Sequence, residues 1–164
     1  MSRQRMRNDE WVFGSNCFVC ETSNDAGLRI PFWFDADTGE VDGRFRLDDR
    51  FSGAPSYVHG GVTLAILDEA QAWATIAAAH KFAVTTETTT RFLRPVLGGR
   101  DHTVTARITG TTDTHLETSA EVRNAEGKVC AESTATFAIL SEAQARAATG
   151  ADDLGEHGDF LRNV

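Results

Sequence analysis

Residues 60–81, GGVTLAILDEAQAWATIAAAHK, constrain this chain more than any other segment. The stretch has no Pro and no Gly beyond Gly61, and Ala, Leu and Ile dominate it, which predicts a helix of several turns. Its apolar residues run almost all the way round the helical wheel. Such a helix is buried on most sides, so a second layer of structure must wrap it.

The flanking sequence supplies that layer. Leu28, Ile30, Phe32 and Phe34 share one face of an extended run, and Asp35 to Gly39 turns the chain. Val41, Gly43, Phe45 and Leu47 make the next face, with Asp42, Arg44, Arg46 and Asp48 opposite. A period of two marks half-buried antiparallel strands. Four more such runs follow the helix, at 84–95, 102–112, 115–124 and 128–140. Their Thr content and alternation (Val104, Ala106, Ile108; Leu116, Thr118, Ala120, Val122) favour strands. Short links at Asp113–Thr114 and Asn124–Gly127 predict hairpins. Strand, strand, long helix, four strands predicts an α+β fold with an antiparallel sheet curled round one central helix.

Length and punctuation set the boundaries. The 164 residues fit one domain, expected over 17–148. Residues 1–16 read as a flexible lead-in, 17–27 and 49–58 as loops, and 149–164 as a mobile, Gly- and Asp-rich tail. Ser141 is placed to cap a short helix over 141–148.

Charge narrows the partners. A net charge of −8 argues against nucleic acid and against an anionic membrane surface, though not against a phosphate-bearing small molecule. The start, MSRQRMRNDEW, lacks the apolar core of a secretory signal, and no apolar run is long enough for a bilayer, so a cytoplasmic location is expected. Cys17, Cys20 and Cys130 are an odd number and no disulfide framework. Cys17-x-x-Cys20 lacks the second ligand pair of a structural zinc site and the strand–helix context of a redox pair. The cysteines therefore read as structural or incidental, and no metal or organic cofactor is expected. His80, His102, His115 and His157 show no ligand spacing and read as solvated.

Two carboxylates, Asp68 and Glu69, interrupt the apolar helix. A buried carboxylate costs several kcal/mol unless something pairs with it or uses it. Asp68, Gln71 and Thr75 stand at i, i+3 and i+7 and form one polar stripe. Glu69 points about 100° away and reads as solvated or at an interface, with a lesser claim to a direct role. At the helix start, Gly60 and Gly61 present unpaired N–H groups at the positive end of the dipole, which suit a developing oxyanion.

The string HGGVTLAILDEAQAWAT followed by VTTETTTRFLRPV resembles the hot-dog-fold thioesterases, and within them the branch related to the phenylacetate-pathway (PaaI-type) enzymes. The resemblance runs from about Cys17 to Leu140, and CFVC…N…GL at 17–28 is similar to one bacterial subgroup. It rests on HGG at 59–61, Asp68 nine residues after His59, and Thr85 seven before Phe92 of an F-x-R-P motif. It implies hydrolysis of an acyl-CoA or acyl-carrier-protein thioester. The Gly60 N–H would polarise the carbonyl, with Gly61 beside it and His59 shaping the hole. Asp68 would attack the carbonyl or activate a water, and Thr85 would orient either group. Glu69, Gln71, Ser52 and Arg94 are substrate-binding candidates, with Arg91 and Arg94 able to meet coenzyme A phosphates. The resemblance also implies a homo-oligomer, a dimer or dimer of dimers, in which HGG of one subunit faces Asp and Thr of the other. One departure stands out: relatives often carry Gln or Asn six or seven residues before the His, where this chain has Ser52 and Gly53. Two rivals remain open, an enoyl-thioester hydratase of the same fold and a non-catalytic thioester-binding protein.

Overall fold

The computed structural model describes residues 3–8 and 15–150. Strands β1 (Arg3–Met6), β2 (Phe32–Asp35) and β3 (Glu40–Phe45) come first, then a small hairpin of β4 (Ser52–Ala54) and β5 (Tyr57–Val58). Helix α1 (Gly60–Ala77) leads into β6 (Ala83–Phe92), β7 (His102–Thr111), β8 (His115–Asn124) and β9 (Val129–Ile139), and α2 (Glu142–Thr149) closes the described chain. One seven-stranded sheet has the order β1-β2-β3-β7-β8-β9-β6, and its pairs are antiparallel. This is the predicted architecture of one sheet packed against one long helix.

The alternation read from the sequence is the alternation of burial. Val41, Gly43 and Phe45 point inward on β3, Val104 and Ala106 on β7, and Leu116, Thr118, Ala120 and Val122 on β8. Ile66, Leu67, Ala70 and Ala74 of α1 are fully enclosed against this face. Each large apolar side chain so enclosed contributes about 1.5–3 kcal/mol. Ala106, Ala120 and Ala131 share that core and leave room for the helix to come close.

The elements depart from expectation at four places. The extended run from Leu28 to Phe34 becomes strand only at Phe32, because Arg29 takes a left-handed conformation (φ 56°). Residues 3–6, read as part of the lead-in, form β1 instead. Met6 is buried, and Arg3 pairs with Asp42 and lies 5.4 Å over the Trp33 ring, which anchors the strand. The 49–58 loop contains the β4–β5 hairpin after a short 3-10 turn at Asp49–Phe51. Helix α1 stops at Ala77 rather than Lys81 because His80 takes a left-handed conformation (φ 53°), and the Lys81 N–H folds back to the Thr75 carbonyl at 3.0 Å. The Ser141 cap is present as a full capping box with Gln144. Of the expected lead-in, residues 1–2 and 9–14, and of the expected tail, 151–164, lie outside the described residues.

Strand β6 forms one edge of the sheet. Among the described residues it pairs only with β9, and eight of its ten residues are exposed.

Candidate active site

The start of α1 is organised by His59. Its Nδ1 accepts the Gly61 N–H at 2.9 Å, and its carbonyl accepts the N–H groups of Val62 and Thr63 at 3.0 Å. The imidazole is thus an acceptor at Nδ1, with its proton on Nε2. Gly61 is thereby satisfied, and Gly60 retains an N–H with no acceptor among the described residues. Of the two glycines, Gly60 alone holds a free donor at the positive end of the helix.

The preceding hairpin buttresses His59. A Cβ at Gly53 would lie 3.1 Å from both Cα and Cδ2 of His59, so a side chain there would press on the histidine. Ser52 is exposed, and its hydroxyl turns back to the Asp49 carbonyl at 2.7 Å. Neither position supplies the amide that the resemblance leads one to expect.

Two turns along the helix, the Thr85 hydroxyl donates to Asp68 Oδ1 at 2.6 Å. Strand β6 thus hands its first exposed threonine to the helical carboxylate, and Asp68 Oδ2 has no partner among the described residues. Asp68 is partly buried rather than enclosed. Gly60 and Asp68 are eight residues apart on the same helix, about 12 Å at 1.5 Å per residue. One chain therefore does not bring both to a single carbonyl.

The remaining candidates scatter. The polar stripe is only partly a surface feature, since Gln71 and Thr75 are fully buried. Thr75 donates to the Ala72 carbonyl at 2.8 Å, whereas neither polar atom of the Gln71 amide has a partner among the described residues. Arg94 is exposed and donates to the Val129 carbonyl at 2.7 Å. It shares a cleft of about 250 Å³ with Tyr57, Gly60, Thr63 and Phe92. Arg91 pairs with Glu132 at 3.0 Å on the opposite face of the sheet, where a hollow of about 610 Å³ holds none of the helix residues.

Two readings need correction. His102 is not solvated: it is 3% exposed, stacked on Phe45 at 5.5 Å. Glu69 is not fully solvated but partly buried against Cys17, whose Sγ lies 3.3 Å from Glu69 Oε1. Burial pushes the Glu69 carboxyl up to about 8, and the neighbouring Cys17 charge adds to the rise. A hydrogen bond from Cys20 holds the Cys17 thiol down at about 5, while the same bond and burial raise Cys20. Linear sequence gave no sign of this meeting, because Glu69 lies 52 residues from Cys17.

Comparison with known proteins places these features. The thioesterase superfamily profile matches residues 56–131, a span that holds Gly60, Asp68 and Thr85. Over this span the chain is similar to the thioesterase superfamily. Its hot-dog fold is shared with crystallised proteins. One is a thioesterase superfamily protein, 28% identical, with TM-score 0.66 over 70% of this chain and 56% of that one. The present chain thus spans little more than half of that protein's length. The E. coli PaaI protein from the phenylacetic acid degradation operon is 22% identical, with TM-score 0.59 over 63% of this chain and 74% of PaaI. A Streptococcus mutans protein bound to acetyl CoA is 20% identical, with TM-score 0.59 over 62% and 82% of the two chains. No curated protein sequence matches. Among the described residues, no helix is long and apolar enough to cross a membrane.

Proposed function

We propose that this chain hydrolyses an acyl-CoA in the manner of the PaaI-type branch, as a cytoplasmic homodimer or dimer of dimers. The observation that carries the proposal is the 2.6 Å bond from Thr85 to Asp68, which orients a carboxylate with one oxygen left over. That oxygen can take a proton from water or attack the thioester carbon itself. The free Gly60 N–H is suited to the oxyanion that either route creates. Collapse of the intermediate expels the thiolate and leaves the acid, directly or after hydrolysis of an anhydride.

The roughly 12 Å between Gly60 and Asp68 favours a site shared between two chains. Edge strand β6 carries the unpaired backbone groups that a second β6 would satisfy, and Thr85 lies on it. Solved structures of the same fold hold acetyl CoA or coenzyme A, which supports a coenzyme A thioester as substrate. Arg94, in the cleft beside Gly60, is the cation placed to meet its phosphates.

The test is a panel of aromatic and aliphatic acyl-CoAs, assayed by loss of thioester absorbance for wild type and Asp68→Asn. Thiol release that drops by about 10²–10⁴ in the variant is expected for loss of a general base. Binding without turnover in wild type would instead identify a thioester-binding protein, and a product with its thioester intact a hydratase. An Asp68→Asn rate equal to wild type overturns the proposal.

A further inference from the structure

We propose that Cys17, Cys20 and Glu69 form a binding site for a zinc-type divalent cation, with a fourth position open to water. The three side chains come from two distant segments, yet their donor atoms all lie within 4.8 Å of one another. Around a tetrahedral zinc, bond lengths of about 2.3 Å to sulfur and 2.1 Å to oxygen set neighbouring donors roughly 3.6–3.8 Å apart. The 3.3 Å between Cys17 Sγ and Glu69 Oε1 is already close to that spacing. Two thiolates and one carboxylate suit a borderline-soft cation better than calcium or magnesium, which favour all-oxygen shells.

The cysteine turn is built before any cation arrives. The N–H groups of Val19 and Cys20 both point at Cys17 Sγ, at 3.3 and 3.4 Å, an arrangement that favours the thiolate needed for ligation. The residues around it hold the turn in shape. The Asn24 amide donates to the Asn16 carbonyl at 3.1 Å, and the Leu28 N–H donates to the Phe18 carbonyl at 2.7 Å. A Cβ at Gly27 would collide with that same Phe18 oxygen at 2.6 Å. The CFVC…N…GL pattern, which the hydrolytic groups leave unexplained, is thus the set of residues that shapes this turn. The family profile begins at residue 56 and does not reach it.

Charge and access agree with a cation. No Lys or Arg forms an ion pair with Glu69 among the described residues. Both cysteines are only partly buried, and Cys20 lines a cleft of about 500 Å³ together with Glu21, Arg5 and Arg7. A bound cation would tie the 17–20 turn to α1 at the residue next to Asp68.

The experiment uses the full-length chain, reduced and freed of metal, titrated with cobalt(II) and separately with zinc(II). The expected result is about one equivalent per chain, with a thiolate-to-cobalt charge-transfer band that zinc displaces. Cys17→Ser and Cys20→Ser should abolish the band, Glu69→Gln should weaken cobalt binding about tenfold or more, and Cys130→Ser should bind like wild type. Chelator should lower the melting temperature of the zinc-loaded wild type. If a serine variant fails to fold, Glu69→Gln and the chelator shift decide the matter. Absence of the band, a cobalt affinity unchanged in Glu69→Gln, or a Cys17–Cys20 disulfide in place of bound metal overturns the proposal. None of these readouts depends on thioester hydrolysis, so the proposal stands or falls apart from the catalytic one.

Discussion

The Thr85 hydroxyl donates to Asp68 Oδ1 at 2.6 Å, tying the free edge of the sheet to the central helix. Hydrogen bonds to charged groups are worth about 1.5–3 kcal/mol, so losing this one should be visible in catalysis. Thr85→Val keeps the β-branched shape and removes the hydroxyl. It should lower kcat on the best acyl-CoA by about 10–100-fold with little change in melting temperature, since residue 85 is exposed. Thr85→Ser should recover most of the rate. A valine variant with full kcat would remove Thr85 from the site.

The free Gly60 N–H can be deleted without disturbing the helix. Gly60 is the first helical residue, a position where proline is well tolerated because its N–H has no helical partner. His59 before it already has φ −58° and ψ 137°, the extended conformation that proline asks of its predecessor. A Cβ at Gly60 meets only the Phe92 ring, at an ordinary 3.7 Å. Gly60→Pro should therefore fold and assemble like wild type while kcat falls by about 10²–10³, the usual loss for an oxyanion donor. Gly60→Ala, which keeps the N–H, should stay within about tenfold of wild type. Equal rates for the proline and alanine variants would show that another donor holds the oxyanion.

The fold was legible because burial imposes periodicity. The all-round apolar character of 60–77 and the period of two in β3, β7 and β8 both report what faces the core. The Asp68 position stood out for the complementary reason, as a charge amid Leu, Ile and Ala. What stayed hidden depends on contacts across the chain. Strand β1 lies in a polar sequence and is anchored by Arg3 to Asp42 and Trp33, partners more than 25 residues away. The division of labour between Gly60 and Gly61 depends on where the His59 ring turns, which spacing alone does not encode. Glu69 looked solvated or interfacial because its neighbours here, Cys17 and Cys20, come from a loop four strands earlier in the chain.

Gln71 offers a test of whether stability or function keeps a residue in place. Its side chain is fully buried, and both amide atoms lack partners among the described residues. An unsatisfied buried polar group costs about 1–3 kcal/mol, whereas methionine fills a similar volume without polar atoms. Gln71→Met should therefore raise stability by about 1–2 kcal/mol, seen as a rise in melting temperature of roughly 2–8 °C for a domain of this size. If the amide serves the substrate, kcat/KM should fall in the same variant. A drop in melting temperature would mean that the amide is satisfied in the assembled protein and belongs to the packing.

His102 makes stability depend on pH. Its ring is 3% exposed, stacked on Phe45, and Nδ1 lies 3.1 Å from the Arg100 carbonyl, to which it donates. Desolvation lowers its pKa, only partly opposed by the Arg100 carbonyl and the charges of Asp101 and Glu126. The unfolded chain, with a histidine pKa of about 6.5, then takes up a proton that the folded chain resists. Stability from this group is full above about pH 6.5 and is lost as the pH falls below it, because the unfolded state binds more protons there. His102→Asn retains a donor for the Arg100 carbonyl but has nothing to titrate. Between pH 7 and pH 5 the wild-type melting temperature should fall more steeply than that of His102→Asn, whose absolute stability at pH 7 should be lower through the lost stacking on Phe45. Parallel curves for the two proteins would show that the ring is protonated as easily in the fold as out of it.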